Sequence, residues 1–324
     1  MIERAVTDVF DDRFHRTATY ALEQFPERPV DLTTISRGNR KQTAVARFAD
    51  RAPMVVQLCA TPRWLEPEAL LLGCIADRTT VPVPAVHGSG TVDDIGYLLT
   101  EYVPGDDLHA RFTDLNADKR RMLVRSLGEA LAQLHEAFQF DGYGRLVVAD
   151  GSLAATRGEW SEWFTEYGLE AIRRLPESFE PLRTELEAFI KSEVPVHNPP
   201  AHLYPWDFRP GNMLVDGGTI TAIVDWETPC AASAAVAVAK AEYLIADWYG
   251  IAPEALRAAF RDGYSSVRPY PELRPEHQVA AIADSAVDSN GVVTNPLYPE
   301  LGPTEAIAFH RQQLQMVVER LEKA

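Results

Sequence analysis

Lysine is scarce in this chain of 324 residues: only Lys41, Lys119, Lys191, Lys240 and Lys323 occur. Arginine carries most of the positive charge, and 47 Asp and Glu against 31 Lys and Arg leave a formal net charge of -16. So acidic a surface repels a polyanion, which argues against nucleic acid as a partner. The same composition suggests a high-salt or GC-rich source, because heavy salt screens the self-repulsion of such a surface. Cysteine is nearly absent. Cys59, Cys74 and Cys230 are odd in number, scattered and not in metal-ligand spacing, which fits a reducing cytosol better than a disulfide framework. No apolar run approaches the roughly 18 residues of a membrane span, so no membrane partner is expected. The opening Met1-Ile2-Glu3-Arg4 is charged and lacks an apolar core. A signal peptide is therefore not expected, and a cytoplasmic location is.

What is present is ordinary for a soluble globular protein: 46% hydrophobic and 24% charged residues. The length is enough for two lobes, since single cores stop growing near about 250–300 residues. Residues 1–25 read as a helix. Thr43 to Phe48 and Met54 to Leu58 read as strands joined by Asp50-Arg51-Ala52-Pro53, behind a turn-rich stretch around Gly38. A helix over Glu66 to Ala76 precedes Val81-Pro82-Val83-Pro84-Ala85-Val86, an extended entry that the prolines favour. An apolar run from Ile95 ends in Glu101-Tyr102-Val103-Pro104-Gly105. Beyond it, Leu123, Leu127, Leu131, Leu134 and Phe138 recur at helical spacing, and further helices follow from Gly158, Ala252, His277 and Thr304.

The chemistry concentrates in Asp207-Phe208-Arg209-Pro210-Gly211-Asn212 and, one hairpin later, Ile223-Val224-Asp225-Trp226-Glu227. Met213-Leu214-Val215 and Ile220 to Val224 read as strands about the turn Asp216-Gly217-Gly218-Thr219. That geometry brings Asp207, Asn212 and Asp225 to one end of the hairpin. An acidic base beside two hard-cation ligands is what phosphoryl transfer from a Mg-nucleotide requires.

The spelling D-x-x-P-G-N, a hairpin and then I-V-D-W resembles the aminoglycoside phosphotransferase and choline kinase-like family. The resemblance covers roughly Leu32 to Tyr249. It implies an α+β, bilobal protein-kinase-like fold. Residues 1–103 would form a small β-rich nucleotide-binding lobe with a leading helix, and residues 104–324 a larger, mainly helical lobe. It implies a small-molecule kinase in which Asp207 accepts the proton of a substrate hydroxyl while Asn212 and Asp225 hold Mg. ATP would be the donor, GTP in some members, and a small-molecule hydroxyl the acceptor. Gly38, Asn39 and Lys41 in the first turn would meet the phosphates, and the backbone of Glu101, Tyr102 and Val103 would face adenine. Glu68 would be the acidic partner of a strand cation.

That cation is missing. Gln57 stands where the resemblance expects Lys or Arg, with Lys41 or Arg47 as candidate substitutes. Pro205 and Trp206 replace the usual His-Gly before Asp207, and no Asp appears in Ala231 to Ala239 where the family often has two. These departures motivate a second reading, a catalytically impaired pseudokinase-like binding or scaffold protein. For the acceptor, Glu227, Glu242 and Asp247 are carboxylates that would suit a cation; Glu227 is the candidate substrate-binding residue.

Overall fold

The computed structural model describes residues 6–35, 40–193, 197–288, 290–295 and 301–322. Helix α1 (His15–Glu23), entered through a single 3-10 turn, lies on a five-stranded antiparallel sheet. Val6, Phe10, Phe14, Ala18 and Leu22 recur every four residues and are buried, so this stretch turns one apolar face to Val56, Leu58 and Leu99 of the sheet. The strands are β1 (Asp31–Ile35), β2 (Gln42–Arg47), β3 (Met54–Cys59), β4 (Val86–Val92) and β5 (Ile95–Glu101). Their order is β1-β2-β3-β5-β4.

Two elements differ from the sequence expectation. The Val81–Ala85 stretch is not a strand, although the Pro82 and Ala85 carbonyls accept from the Ile223 and Glu101 N–H groups, and strand β4 begins only at Val86. Gly88, Ser89 and Gly90 mask it as a loop, yet Asp93 and Asp94, at φ 49° and 62°, close a tight turn back into β5. The sequence reading also has no hairpin over strands β8 (Tyr143–Ala149) and β9 (Ser152–Arg157). Asp150-Gly151 turns it with positive φ at both residues, which is the Asp-Gly signal for a two-residue turn.

Helix α2 (Leu65–Arg78) follows β3, and its Leu71, Leu72 and Ile75 join the larger core with Leu131 and Leu134 of α4 (Ala117–Ala137). The short strand β6 (Asp106–Asp107) and helix α3 (Leu108–Phe112) connect the two parts of the chain. Helix α4 lies against α8 (Pro253–Ser265) at backbone contact. A Cβ on Gly128 would come 2.0 Å from the Phe260 carbonyl oxygen, and one on Gly263 would come 1.9 Å from that of Arg125. Only glycine permits that approach. Helices α5 (Trp160–Arg174), α6 (Leu182–Ser192), α9 (Pro275–Ser285) and α10 (Pro303–Glu322) complete the helical part.

A second five-stranded sheet, in the order β7-β10-β13-β8-β9, carries the site. It contains β7 (Gln139–Phe140), β10 (Ala201–Tyr204) and β13 (Cys230–Ser233). The alanine-rich stretch Ala231 to Ala239 has no element assigned to it in the sequence reading. It supplies β13 and then α7 (Ala234–Glu242), capped by the Ser233 hydroxyl accepting from the Val236 N–H. Strands β11 (Met213–Asp216) and β12 (Thr219–Ile223) form the expected hairpin, with Gly217 and Gly218 at φ 57° and 93° in its turn. The outcome is the expected bilobal, protein-kinase-like α+β arrangement, sheet-rich first and helical after.

Candidate active site

Strand β10 ends at Tyr204, and the chain then turns through Asp207 and one 3-10 turn, Pro210–Asn212, into β11. Asn212 is 7% exposed, and its amide nitrogen donates to the Asp207 carbonyl oxygen at 2.8 Å and to Asp207 Oδ2 at 3.1 Å. That fixes the Asn212 rotamer and leaves its Oδ1 as a free acceptor. The Val224 N–H donates to the Asn212 carbonyl at 2.9 Å, closing the hairpin so that Asp225 emerges beside Asn212. Asp225 adopts φ 62°, a left-handed conformation that aspartate tolerates better than most residues. Asp207, Asn212 and Asp225 therefore meet at one end of the hairpin.

Arg209 Nε donates to Asp207 Oδ2 at 2.8 Å. Burial pushes the Asp207 carboxyl up, but the charges of Arg209 and Lys240 and the bonds from Arg209 and Asn212 outweigh it and hold the group below its ordinary value. Asp207 is thus ionised across the neutral range.

Lys41, one of the two candidate substitutes for the missing cation, lies among three carboxylates. Its Nζ lies 3.1 Å from Glu68 Oε2, 3.0 Å from Asp225 Oδ1 and 3.7 Å from Glu227 Oε2, with 9% of its side chain exposed. The strand register places it relative to Gln57. Thr43 pairs with Gln57 and Gln42 with Leu58, so one step further puts Lys41 opposite Cys59. Lys41 is then the diagonal neighbour of Gln57 on the same face of the sheet. Lys41 thus lies two residues before Thr43, the residue paired with Gln57, on the neighbouring strand's extension. Arg47, the other candidate, is at the far end of β2 with its guanidinium 5.7 Å from the Tyr102 ring centroid.

The electrostatics of this cluster are lopsided. Burial lowers the Lys41 pKa, but Glu68, Asp225 and Glu227 together raise it well above the ordinary lysine value. Burial raises Glu68, with Lys41 opposing and Asp225 reinforcing the shift. Glu227, also bonded by Arg40 at 3.4 Å, is raised by burial and by Asp225. The Gln57–Glu68 hydrogen bond open to the sequence is not made: Glu68 is taken by Lys41, and Gln57 Oε1 is buried without a partner among the described residues.

The remaining sequence candidates lie apart. Gly38 and Asn39 fall outside the described residues. Glu101, Tyr102 and Val103 follow the end of β5, where the Glu101 N–H donates to Ala85 O at 2.8 Å and the Tyr102 N–H to Pro53 O at 3.3 Å. The Val103 backbone has no such partner among the described residues. His202 in β10 lies against His135 and Arg268, and burial keeps both histidines neutral at pH 7.

A cavity of about 1160 Å³ opens beside Asp207. Trp163, Tyr167, Trp206 and Trp248 line it, together with Arg145, Arg157, Arg174 and Lys240. Lys240 is 5% exposed, hydrogen-bonds Asp284 at 2.5 Å, and lies 4.5 Å from the Trp206 ring centroid.

The sequence profile of the phosphotransferase enzyme family matches residues 31–275. The chain belongs to that family. As a phosphotransferase-family chain it shares its fold with solved structures of low identity. Aminoglycoside phosphotransferase APH(4)-Ia is 16% identical at a TM-score of 0.62, covering 94% of this chain and 97% of that one. The putative fructosamine-3-kinase from Haemophilus somnus is 13% identical at 0.61, covering 92% and 94%. The macrolide 2'-phosphotransferase MphH from Brachybacterium faecium is 20% identical at 0.57, covering 90% and 96%. A variant of APH(4)-Ia has been solved as a ternary complex with AMP-PNP and hygromycin B. No curated protein matches the chain.

Two residues of this phosphotransferase-family site escape the sequence reading. Arg209 is two positions after Asp207, inside the quoted motif, and its alternation with Asp207 was the available signal. Lys240 had none, since it approaches Asp207 only through the packing of α7 under the loop.

Proposed function

We propose that the protein is an active ATP-dependent small-molecule kinase, transferring the γ-phosphate to a hydroxyl. The observation that carries this reading is Lys41, held between Glu68 and Asp225 where the fold otherwise lacks its phosphate-facing cation. Its ammonium binds the nucleotide phosphates, oriented by Glu68. Gln57 borders those phosphates, and the backbone of Glu101 to Val103 takes the adenine edge; Gly38 and Asn39, the other phosphate candidates, lie outside the described residues. The lobes divide after Val103.

Asp207, ionised and fixed by Asn212 and Arg209, orients the acceptor hydroxyl and takes its proton. Arg209 is within reach of both that carboxylate and the incoming γ-phosphate, so it neutralises charge as transfer proceeds. The donor set fits Mg: Asn212 Oδ1 and the Asp225 carboxylate are hard oxygens that leave most of an octahedron to water and phosphate. When bound, the ion supplies neutralisation of the phosphate charge. Glu227 borders the acceptor cavity while paired to Arg40 and Lys41. Competition between ATP and GTP settles the donor base. No helix among the described residues is long and apolar enough to cross a membrane, and we place the reaction in the cytoplasm.

Asp207→Ala should lower kcat by about 10²–10⁴-fold while leaving the Mg-ATP-induced rise in Tm intact. Wild-type turnover in that variant rules out the base assignment. The pseudokinase-like reading rests on Gln57 and on the missing Asp residues of Ala231 to Ala239; the position of Lys41 weighs against the first of these grounds. Absence of any Mg-ATP-dependent Tm shift, at low or molar salt, would restore it.

A further inference from the structure

Of the three carboxylates that suit a cationic acceptor in the sequence, Glu227 borders the cavity but is paired with Arg40 and Lys41, and the other two are occupied elsewhere. Glu242 takes both Arg261 nitrogens at 2.8 Å and the Tyr270 hydroxyl, and Asp247 takes Arg257. Neither borders the cavity beside Asp207. Outside the Lys41 cluster the charges that do border it balance in number, five cations (Arg145, Arg157, Arg174, Arg209, Lys240) against five anions (Glu166, Glu170, Asp207, Asp284, Asp288), although they are not paired one to one. Glu166 pairs with Arg157 at 2.9 Å, Asp284 takes both Lys240 and Arg174, and Asp288 accepts from the Asn290 and Val292 N–H groups. Beyond the Lys41 cluster, one lining cation and one lining anion, Arg145 and Glu170, lack a hydrogen-bond or ion-pair partner among the described residues. A polycation needs surplus carboxylates and an anion needs surplus cations; this wall offers neither in a chain whose net charge is -16. Matched forks and carboxylates do suit hydroxyl groups, which both donate and accept.

Trp206 supplies the shape. It stands directly before the base, where the family resemblance expects glycine. Its ring is half-buried and borders the cavity. Tyr204 packs at 5.5 Å and 35°, Tyr167 meets it edge-on at 5.7 Å and 78°, and Lys240 lies 4.5 Å from its centroid. A large ring so fixed, one residue from Asp207, is a preformed apolar rest for a ring compound that must present one hydroxyl to that carboxylate.

We infer that the acceptor is a neutral, polyhydroxylated ring compound, a sugar or cyclic polyol, seated against Trp206. This rests on the kinase reading above. The acceptor oxygen forms a bond to the γ-phosphorus, and its proton passes to Asp207. The bond from that phosphorus to the β,γ-bridging oxygen breaks, and ADP leaves with the electron pair.

The test measures ADP release with Mg-ATP and a panel of probes: D-glucose, D-ribose, D-fructose and myo-inositol as neutral rings, hygromycin B as the polycation and D-glycerate as the anion. The expected result is release more than about tenfold above the acceptor-free background with at least one neutral ring and with neither charged probe. For the productive probe, Trp206→Ala should raise its KM by about tenfold or more, and Trp206→Phe should recover most of that loss, with the Mg-ATP Tm shift unchanged in both. Turnover with hygromycin B or D-glycerate alone overturns the acceptor class. So does turnover with no probe while Mg-ATP still raises Tm, or an unchanged KM in Trp206→Ala. Loss of the Mg-ATP shift in the unmodified protein instead removes the kinase reading itself.

Discussion

Lys41 and Lys240 are both withdrawn from water, with 9% and 5% of the side chain exposed, yet they are held in opposite ways. Burying an ammonium costs several kcal/mol unless its surroundings repay it. Around Lys41 three carboxylates converge, so negative charge is in excess; around Asp284 two cations converge, so positive charge is in excess. The first excess helps burial raise Glu68 and Glu227, while the second helps hold Asp207 low. One end of the site is therefore short of cations and the other keeps its carboxylate ionised. Asp225, 43% exposed within the Lys41 cluster, is open to a further cation, whereas Asp284, 2% exposed, is closed.

The largest effect should come from Lys41→Met. Removal of a charge aimed at the phosphates costs about 10²–10³-fold in kcat/KM for ATP, on the scale of one lost electrostatic contact in a closed site. The register offers a sharper form of the test. Gln57→Lys in the Lys41→Met background returns a cation to the same face of the sheet and should recover about tenfold. If Lys41→Met keeps wild-type kcat/KM, the two buried lysines do not differ in the way proposed.

Much of this site could be read before the structure because it is local. Asp207 and Asn212 share one turn, and the Gly217-Gly218 hairpin returns Asp225 to them within nineteen residues. The fold class followed from the same motif and from the order of strands and helices. Lys41 remained one of two candidates because choosing it requires the pairing of β2 with β3, which sets which residues share a face. The helix-period stripe of α4 was legible, but its contact with α8 through Gly128 and Gly263 was not, since nothing local distinguishes those glycines from loop glycines. Glu242 and Asp247 show the reverse problem. Their positions after the motif suggested an acidic pocket, and only the packing of α8 reveals that Arg257 and Arg261 consume them. The β8–β9 hairpin carries a legible Asp150-Gly151 turn signal between two mostly apolar runs, and the sequence reading does not use it.

Lys240→Met should act on stability before chemistry. Removing one partner from a buried ion pair costs about 3–5 kcal/mol when the other is left alone, but Arg174 remains on Asp284, so about 2 kcal/mol is expected. The KM for ATP should not change. The Asp207 carboxyl should rise toward its ordinary value, moving the acid limb of kcat/KM upward. A rise in the ATP KM matching that of Lys41→Met would erase the distinction between the two lysines.

The smallest effect is the pH dependence of stability, where groups outside both lysine sites oppose those within them. His277 and His310 are buried and lowered from 6.5 to about 4. His310 is held neutral by burial and hydrogen-bonds the Tyr243 hydroxyl at 2.8 Å and the Thr294 carbonyl at 2.9 Å. A depressed histidine contributes stability that is complete above pH 6.5 and is lost as pH falls toward 4. Glu68 and Glu227 are raised, and burial lifts Asp247 to about 6. A raised carboxyl contributes stability below its ordinary value that is lost as pH rises, so these three gain on acidification. At pH 5 each histidine loses about 2 kcal/mol, and the carboxyls offset much of it, leaving a fall of a few degrees in Tm between pH 7 and 5. Mg²⁺ alone should steepen that fall, because a cation added at Asp225 lowers Glu68 and Glu227 and removes the compensation. A Tm that rises on acidification with Mg²⁺ present would mean that the negative excess around Lys41 is not what the ion relieves.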